Sequence, residues 1–244
     1  MRINKFISSC GVCSRRKAEE FVKNGLVKVN DAVVTDLATD INVENDKVLI
    51  NDVEITLKQE NVYYMLNKPK GYVTTMSDDR DRKSILDLIT DLDKRVFPVG
   101  RLDYETEGLL FLTNDGDLTY VLSHPKFEIP KTYVVKVEGE VKESEMAVLR
   151  AGVVVDGERY GKCKVELMSF KDNIAKLEVT IFEGKNREIR RMFEAIHREV
   201  IFLKRVAMAG IKLGGLMRGE KRPLKEDEIS HLKALVREAD KLAN

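Results

Sequence analysis

At 244 residues the chain exceeds the usual size of one compact domain, so we expect a small domain beside a larger one. Its 43% hydrophobic and 34% charged residues are typical of a soluble globular protein and exclude a long disordered chain. No apolar leader and no apolar run of spanning length is present, so we expect neither secretion nor a membrane partner, and a cytoplasmic location.

The three cysteines predict packing roles and no metal site. An odd number argues against a disulfide framework. Cys10 and Cys13 form a C-x-x-C pair, but a zinc site needs a second pair of ligands, and only Cys163 and scattered histidines remain. We therefore interpret the cysteines as small core residues.

The net charge of +1 conceals an uneven distribution. Residues 1–30 carry seven Lys/Arg against two acids, whereas residues 31–60 carry two against eight. A second basic cluster runs from Lys185 to Arg222. The contrast between the first two segments predicts one basic face that a polyanion would meet. Taken alone, either basic run is more often a solvated helix face than a binding site.

The first 40 residues predict two helices followed by a hairpin. Ile3–Ser9 is a short apolar helix, Ser14 is a candidate N-cap for a second helix, and Asn30-Asp31 is a turn pair between alternating strands. The second helix begins with a basic triplet, where free backbone N–H groups and the helix dipole favour phosphate. The residues of this triplet are Arg15, Arg16 and Lys17.

This segment resembles the S-four-like RNA-binding domain, in which a short helix precedes Gly-x-x-Ser-Arg-Arg, Ala and then Gly-x-Val-x-Val-Asn. The matching residues are Gly11, Ser14, Arg15, Arg16, Ala18, Gly25, Val27, Val29 and Asn30. The resemblance implies RNA binding by a domain at residues 1–60 and implies no particular reaction.

From residue 61 onward strand patterns dominate. They cover residues 133–137, 164–167 and 175–182, with helical patterns at 143–151 and 187–196. Strands do not alternate regularly with helices, so we predict an α+β domain with a mainly antiparallel sheet at residues 61–244.

One acid stands out in this domain. Asp103 lies two residues after Arg101 and just before a Thr-x-Gly turn that leads into an apolar strand. In an extended segment these two side chains point to the same side and could pair. Considered alone, the pair is more often an ordinary surface contact.

The run 101–109, Arg-Leu-Asp-Tyr-Glu-Thr-Glu-Gly-Leu, matches the central motif of pseudouridine synthases. Three further blocks at 67–71, 131–133 and 183–192 resemble the other motifs of the RsuA/RluB/RluE/RluF family of ribosomal RNA pseudouridine synthases, and the resemblance covers nearly the whole chain. The run 216–222 departs from the family's late pattern, which puts the subtype and the target nucleotide in doubt.

The resemblance implies a role for each matched residue. Asp103 falls on the catalytic aspartate, Arg190 is its basic partner, and Arg101 orients the loop or the extruded nucleotide. Tyr133 packs against the target base, and Leu203 closes the pocket. Flanking phosphates are expected to meet basic residues near the pocket and on the first domain. These are Lys68, Lys70, Arg187, Arg191 and Lys204, with Arg15, Arg16 and Lys17 farther away.

Such an enzyme breaks the N1–C1′ bond of uridine, turns the uracil and rejoins it through C5. The isomerisation involves no redox step and no activated donor, so we expect no cofactor. The residues do not decide whether the carboxylate attacks the base, attacks C1′ or removes a sugar proton. The uridine must be flipped out of its stack to be reached.

We expect ribosomal RNA, free or in a partly assembled ribosomal subunit, as the partner of a monomeric enzyme. Likeness to the RluB type favours 23S rRNA of the large subunit, with 16S rRNA second. The alternative is a non-catalytic RNA-binding assembly factor of the same fold, which would have no use for an acid in an RNA-facing pocket. A methyltransferase is disfavoured because no Gly-x-Gly cofactor loop follows a strand.

Overall fold

The computed structural model describes residues 1–57, 60–76 and 82–243. They divide into two compact units, one formed by Met1–Val62 with Asn114–Gly116 and the other by the rest of the chain from Tyr63 onward. Within the described residues no helix has both the length and the apolar character needed to cross a membrane.

The first unit contains the predicted helix pair and hairpin. Its elements are α1 (Ile3–Ser9), α2 (Arg15–Lys23), β1 (Val27–Val29), β2 (Ala32–Val34), β3 (Val48–Ile50) and β4 (Val53–Ile55). The strands form an antiparallel sheet in the order β2-β1-β3-β4. Ile3 and Ile7 of α1 are fully buried with Ala18 and Val22 of α2, so the two helices share one apolar core with the sheet.

Two local predictions in this unit are confirmed. The Ser14 hydroxyl accepts the backbone N–H of Lys17 at 3.2 Å, which makes Ser14 the N-cap of α2. Asn30 and Asp31 both have positive φ, 49° and 67°, as a two-residue turn with the right twist for a hairpin requires.

The strands of the second unit are β5 (Tyr63–Lys68), β6 (Phe97–Pro98), β7 (Glu107–Thr113), β8 (Lys131–Glu138), β9 (Val153–Val155), β10 (Glu158–Tyr160), β11 (Lys164–Lys171), β12 (Ile174–Ile181), β13 (Val200–Met208), β14 (Ile211–Lys212) and β15 (Lys221–Pro223). β9 and β10 pair with each other, and the other nine strands form one sheet whose main path is β11-β12-β8-β13-β7-β5-β15. All pairings in this large sheet are antiparallel except that of β13 with β7. The helices are α3 (Gly116–Ser123), α4 (Glu143–Ala151), α5 (Glu188–Glu194) and α6 (Glu226–Ala243).

The predicted α+β class with a mainly antiparallel sheet is confirmed. The predicted helix at 143–151 is α4, and the predicted strands at 133–137, 164–167 and 175–182 lie in β8, β11 and β12. The predicted helix at 187–196 is shorter, because Arg187 takes a left-handed conformation, with φ 51°, and α5 starts after it.

Helices α3 and α6 cover one face of the sheet. Leu118 and Leu122 of α3 and Leu232 of α6 are buried with Met65 of β5 and Phe111 of β7 in one cluster. Every residue of β7 is buried, because this strand is central in the sheet and covered on both faces. The loop that precedes β7 is therefore carried by the most enclosed strand of the unit.

Gly108 sets the spacing of β7 and β13. Its φ is 110°, and a Cβ placed on it would lie 2.2 Å from the backbone oxygen of Arg205, which pairs with Gly108 in the parallel ladder. A side chain here would push the two strands apart. The glycine of the Thr-x-Gly turn is thus required by a close approach of two backbones.

We predict that Gly108→Ala lowers the free energy of unfolding by roughly 2–5 kcal/mol, since it adds both a backbone clash and an unfavourable φ. Gly116→Ala is the matched control, because a Cβ there meets nothing within 4 Å. It should stay within about 1 kcal/mol of the wild type. Urea denaturation followed by circular dichroism measures both, and a Gly108→Ala variant as stable as the control would refute the close approach.

Candidate active site

Asp103 lies in a loop that is fixed by its backbone and leaves the carboxylate free. The Asp103 carbonyl oxygen accepts the N–H of Thr106 at 3.0 Å, which closes a turn. Before it, the Thr74 hydroxyl donates to the Leu102 carbonyl at 2.8 Å and accepts the Leu102 N–H at 3.2 Å. In the described part of the chain nothing forms a hydrogen bond or an ion pair with the Asp103 carboxylate. The loop therefore fixes the position of Asp103, and its carboxylate has no partner among the described residues.

The half-buried Asp103 side chain lines a cavity of about 500 Å³. This volume is in the range of small-molecule sites. The wall consists of the Asp103 loop, the starts of β8 and α5, the middle of β13, and the 184–187 loop. Its polar residues are Arg101, Asp103, Thr106, Ser123, Lys131, Tyr133, Lys185, Asn186, Arg187, Glu188 and Arg205.

Four of the five predicted catalytic residues line this cavity: Asp103, Arg101, Tyr133 and Leu203. Tyr133 and Leu203 are only 7% and 5% exposed and lie on the adjacent strands β8 and β13. An aromatic ring and an aliphatic side chain thus form a closed apolar part of the wall near the acid.

Arg190 is not part of the cavity wall. Its guanidinium donates to the Val200 carbonyl at 2.8 Å and to the Glu105 carbonyl at 3.5 Å, and its buried Nε has no partner among the described residues. Burial and the charge of Arg187 lower the pKa of Arg190, while the charge of Asp103 opposes this shift. The two groups therefore interact through space without forming a direct salt bridge.

The prediction that Lys68 contacts a phosphate is wrong. Lys68 is completely buried, and its ammonium donates to the Pro69 and Thr106 carbonyls at 3.0 and 2.9 Å. It thereby ties β5 to the turn that carries Asp103. Burial lowers the pKa of Lys68 to about 8, and the charge of Asp103 opposes this shift.

The other predicted phosphate contacts have different surroundings. Arg187 is exposed and lines the cavity, whereas Lys204 is half-buried and is not part of the wall. Lys70 pairs with Glu105 at 2.5 Å, and Arg191 pairs with Asp156 and Glu194 at 3.1 and 3.0 Å. In the first unit Arg15, Arg16 and Lys17 are exposed, and Lys17 pairs with Glu20 at 2.6 Å.

Arg205 is a cavity residue that the sequence reasoning missed. It is 2% exposed, its Nε donates to the Leu109 carbonyl at 2.7 Å, and its Nη1 lies 3.5 Å from the Tyr133 hydroxyl. The strand alternation could have found it, because Arg205 is two residues after Leu203 and so points to the same side of β13. Lys204 points to the opposite side for the same reason.

Lys131 and Glu188 are two further ionisable groups of the wall that the sequence did not single out. The Lys131 ammonium donates to the Ile129 and Glu183 carbonyls at 3.1 and 2.7 Å, and burial lowers its pKa to about 8. Glu188 is 4% exposed, and burial raises its pKa to about 7. Lys131 lies in the same motif block as Tyr133, and Glu188 lies in the same block as Arg190.

The late basic run has a structural role at the same place. Arg218 forms a two-pronged ion pair with buried Glu107, at 2.9 and 3.0 Å. Glu107 is the first residue of β7 and precedes Gly108. The arginine thus neutralises a carboxylate that would otherwise be buried without a partner next to the Asp103 loop.

A small helix–helix–hairpin unit and an α+β unit with an enclosed aspartate define a class of RNA-modifying enzyme. The sequence model of the S4 domain matches residues 1–48, and that of RNA pseudouridylate synthase matches residues 62–195. This chain belongs to the RNA pseudouridylate synthase family.

Individual relatives agree over almost the full length. Ribosomal large subunit pseudouridine synthase B of Bacillus subtilis is 43% identical, with 96% of each chain covered. An uncharacterized RNA pseudouridine synthase of Aquifex aeolicus is 40% identical over 95% of this chain and 93% of its own. A solved structure of a pseudouridylate synthase superposes with a TM-score of 0.67 at 31% identity, covering 95% of this chain and 99% of that one.

The buried lysines predict a rise of stability in alkaline solution. The folded pKa values of Lys68 and Lys131, about 8, lie below the ordinary 10.5, so between these values the unfolded chain binds more protons. The free energy of unfolding should therefore rise with pH from about 8 to 10.5 through these two groups. Lys68→Met and Lys131→Met should each flatten this rise in urea titrations.

Lys70→Met is the control, because it makes the same substitution at a side chain that is 62% exposed. Equal slopes for the wild type and both buried-lysine variants would mean that the ammonium groups are as well solvated in the folded protein as in the unfolded chain.

Proposed function

We propose that this protein converts uridine to pseudouridine at a defined site of ribosomal RNA, with Asp103 as the catalytic nucleophile. The observation that carries the proposal is the unoccupied Asp103 carboxylate in the wall of a cavity that also presents Tyr133 and Leu203. Family membership supports the reaction, and this geometry supports Asp103 as the group that performs it.

In this proposal the target nucleotide is flipped out of its stack and its uracil enters the cavity. Tyr133 packs on the ring and offsets part of the unstacking cost, which is a few kcal/mol. Leu203 closes the pocket on the aliphatic side. Asp103 then acts on the base or on the sugar while the N1–C1′ bond is exchanged for a C5–C1′ bond.

Two cations are electrostatic partners of Asp103 in this proposal. The charge of Asp103 stabilises the charged forms of Arg190 and Lys68. Arg101 lines the cavity, where it can orient the loop or the extruded nucleotide. Arg190 acts here as an electrostatic partner at a distance.

The RNA flanking the target is held by exposed and half-buried cations. We assign this role to Lys70, Arg187, Arg191 and Lys204 around the second unit and to Arg15, Arg16 and Lys17 on the first. The acidic partners of Lys70, Arg191 and Lys17 are exposed or half-exposed, and such pairs exchange readily for phosphate.

We propose large-subunit 23S rRNA as the preferred substrate and 16S rRNA as the second candidate, because the Bacillus subtilis relative is named for the large subunit. The RNA is free or within a partly assembled ribosomal subunit. In this proposal the enzyme works in the cytoplasm as a monomer. It divides near residue 60 into an RNA-binding and a catalytic domain, and the isomerisation consumes no cofactor.

The test uses unmodified 23S and 16S rRNA transcripts and partly assembled subunits, incubated without cofactor. Pseudouridine is mapped by carbodiimide modification and reverse-transcription stops. The wild type should create a stop at a defined uridine, and Asp103→Asn should reduce it to background. Asp93→Asn, at an exposed position, is the control and should behave as the wild type.

Salt-sensitive binding without any stop, on transcripts or particles, would favour the non-catalytic assembly factor. A stop that survives in Asp103→Asn would confirm the reaction and remove Asp103 as the nucleophile.

We further predict that Arg15→Gln/Arg16→Gln weakens RNA binding and reduces its dependence on salt. The slope of log K against log salt concentration should decrease by about 0.7–0.9 for each lost phosphate contact. The single-turnover rate at saturating enzyme should stay unchanged. Lys23→Gln, at the opposite end of α2, is the matched control, and an equal loss there would mean that the first turn has no special role.

A further inference from the structure

We propose that Glu188 is a second acid–base group of this active site and carries the proton that leaves C5 of the uracil to N1. The inference rests on the proposed uridine isomerisation and adds a step that Asp103 does not account for. Its basis is a second carboxyl group inside the same cavity wall, fixed in place and with one oxygen available.

The position of Glu188 is determined by its own loop. The side-chain Oε2 accepts the backbone N–H of Lys185 at 2.9 Å, and the Glu188 N–H donates back to the Lys185 carbonyl at 3.3 Å. Across residues 1–57, 60–76 and 82–243, no donor forms a hydrogen bond with its Oε1. One oxygen therefore holds the 185–188 turn, and the other is free to meet a ligand in the cavity.

Two other proton carriers of the wall, Lys131 and Tyr133, are already engaged. The Lys131 ammonium is bonded to two backbone carbonyls, and the Tyr133 hydroxyl has the Arg205 guanidinium as its neighbour. Asp103 is occupied by its own step during the exchange of the glycosidic bond. Glu188 is the acid of the described wall that remains.

The chemistry requires such a group. When C1′ has been joined to C5, that carbon still carries its original hydrogen, and the ring has a double bond between N1 and C6. The C5–H bond then breaks: its electron pair forms C5=C6, the N1=C6 pair moves to N1, and the proton goes to the Glu188 carboxylate. The carboxylic acid returns a proton to N1. The proton is moved from C5 to N1 and none is consumed.

The surroundings of Glu188 suit a group that both accepts and donates a proton near neutral pH. Burial and the charge of Glu183 favour the neutral acid form of Glu188, whereas Lys131 on β8 and Lys185 in the loop favour its carboxylate. The charge of Glu188 also raises the pKa of the Cys163 thiol, which precedes β11. The β9 segment that packs on α5 contributes only valines. The net effect is a pKa of about 7 for Glu188, raised mainly by burial.

Glu188→Gln separates this role from a structural one, because the amide oxygen can still accept the Lys185 N–H. We expect the single-turnover rate of pseudouridine formation to fall by about 10² or more, with RNA affinity and melting temperature unchanged.

The wild-type rate should rise as Glu188 ionises near pH 7, and this rise should be absent in the variant. RNA deuterated at C5 should show a primary isotope effect in Glu188→Gln. Glu166→Gln, exposed on β11, is the control.

Glu188→Ala also removes the bond to Lys185, so it distinguishes the two roles. A large loss in Glu188→Ala with a Glu188→Gln rate close to that of the wild type would overturn the proposal and leave Glu188 as a residue that shapes the loop. A slow Glu188→Gln that keeps the pH dependence and lacks the isotope effect would overturn it as well. Loss of activity in Asp103→Asn is measured independently and tests the reaction itself.

Discussion

The close approach of β7 and β13 at Gly108 and Arg205 is the constraint on which the site depends. These are the only parallel neighbours on the sheet path of the described residues, and their backbones come too close for any Cβ at Gly108. The Asp103 loop leads directly into this contact. As a result the acid is brought beside side chains of β13, and through the next pairing beside Tyr133 of β8.

Buried cations are the second feature of the site, and their hydrogen bonds go mainly to backbone carbonyls. Lys68, Lys131 and Arg205 are each less than 8% exposed, and each donates to main-chain oxygens of a loop or strand around the cavity. A buried cation without such partners would be strongly destabilising. These bonds therefore do two things: they offset the desolvation of the cations, and they fix the segments that carry the acids.

Much of this arrangement could be predicted from local patterns. Ser14 as an N-cap, the Asn30-Asp31 turn and the helix at 143–151 depend on neighbours in sequence, and all three are confirmed. The α+β class follows from the order of the strand and helix patterns. The cavity positions of Asp103, Tyr133 and Leu203 agree with what the family resemblance implies, although their roles are still predictions.

The sequence by itself determined the type of the main elements and the RNA-binding and modifying class, and it predicted which residue is the central acid. Only the tertiary structure decided which charged side chains face inward: Lys68 is buried although its motif suggested a phosphate contact, and Arg205 and Glu188 are part of the cavity wall. The physical reason is that the exposure of a charged side chain depends on carbonyls and strands distant in the chain. Local periodicity indicates which residues share one face of a helix or strand, but it does not indicate which other segments cover that face.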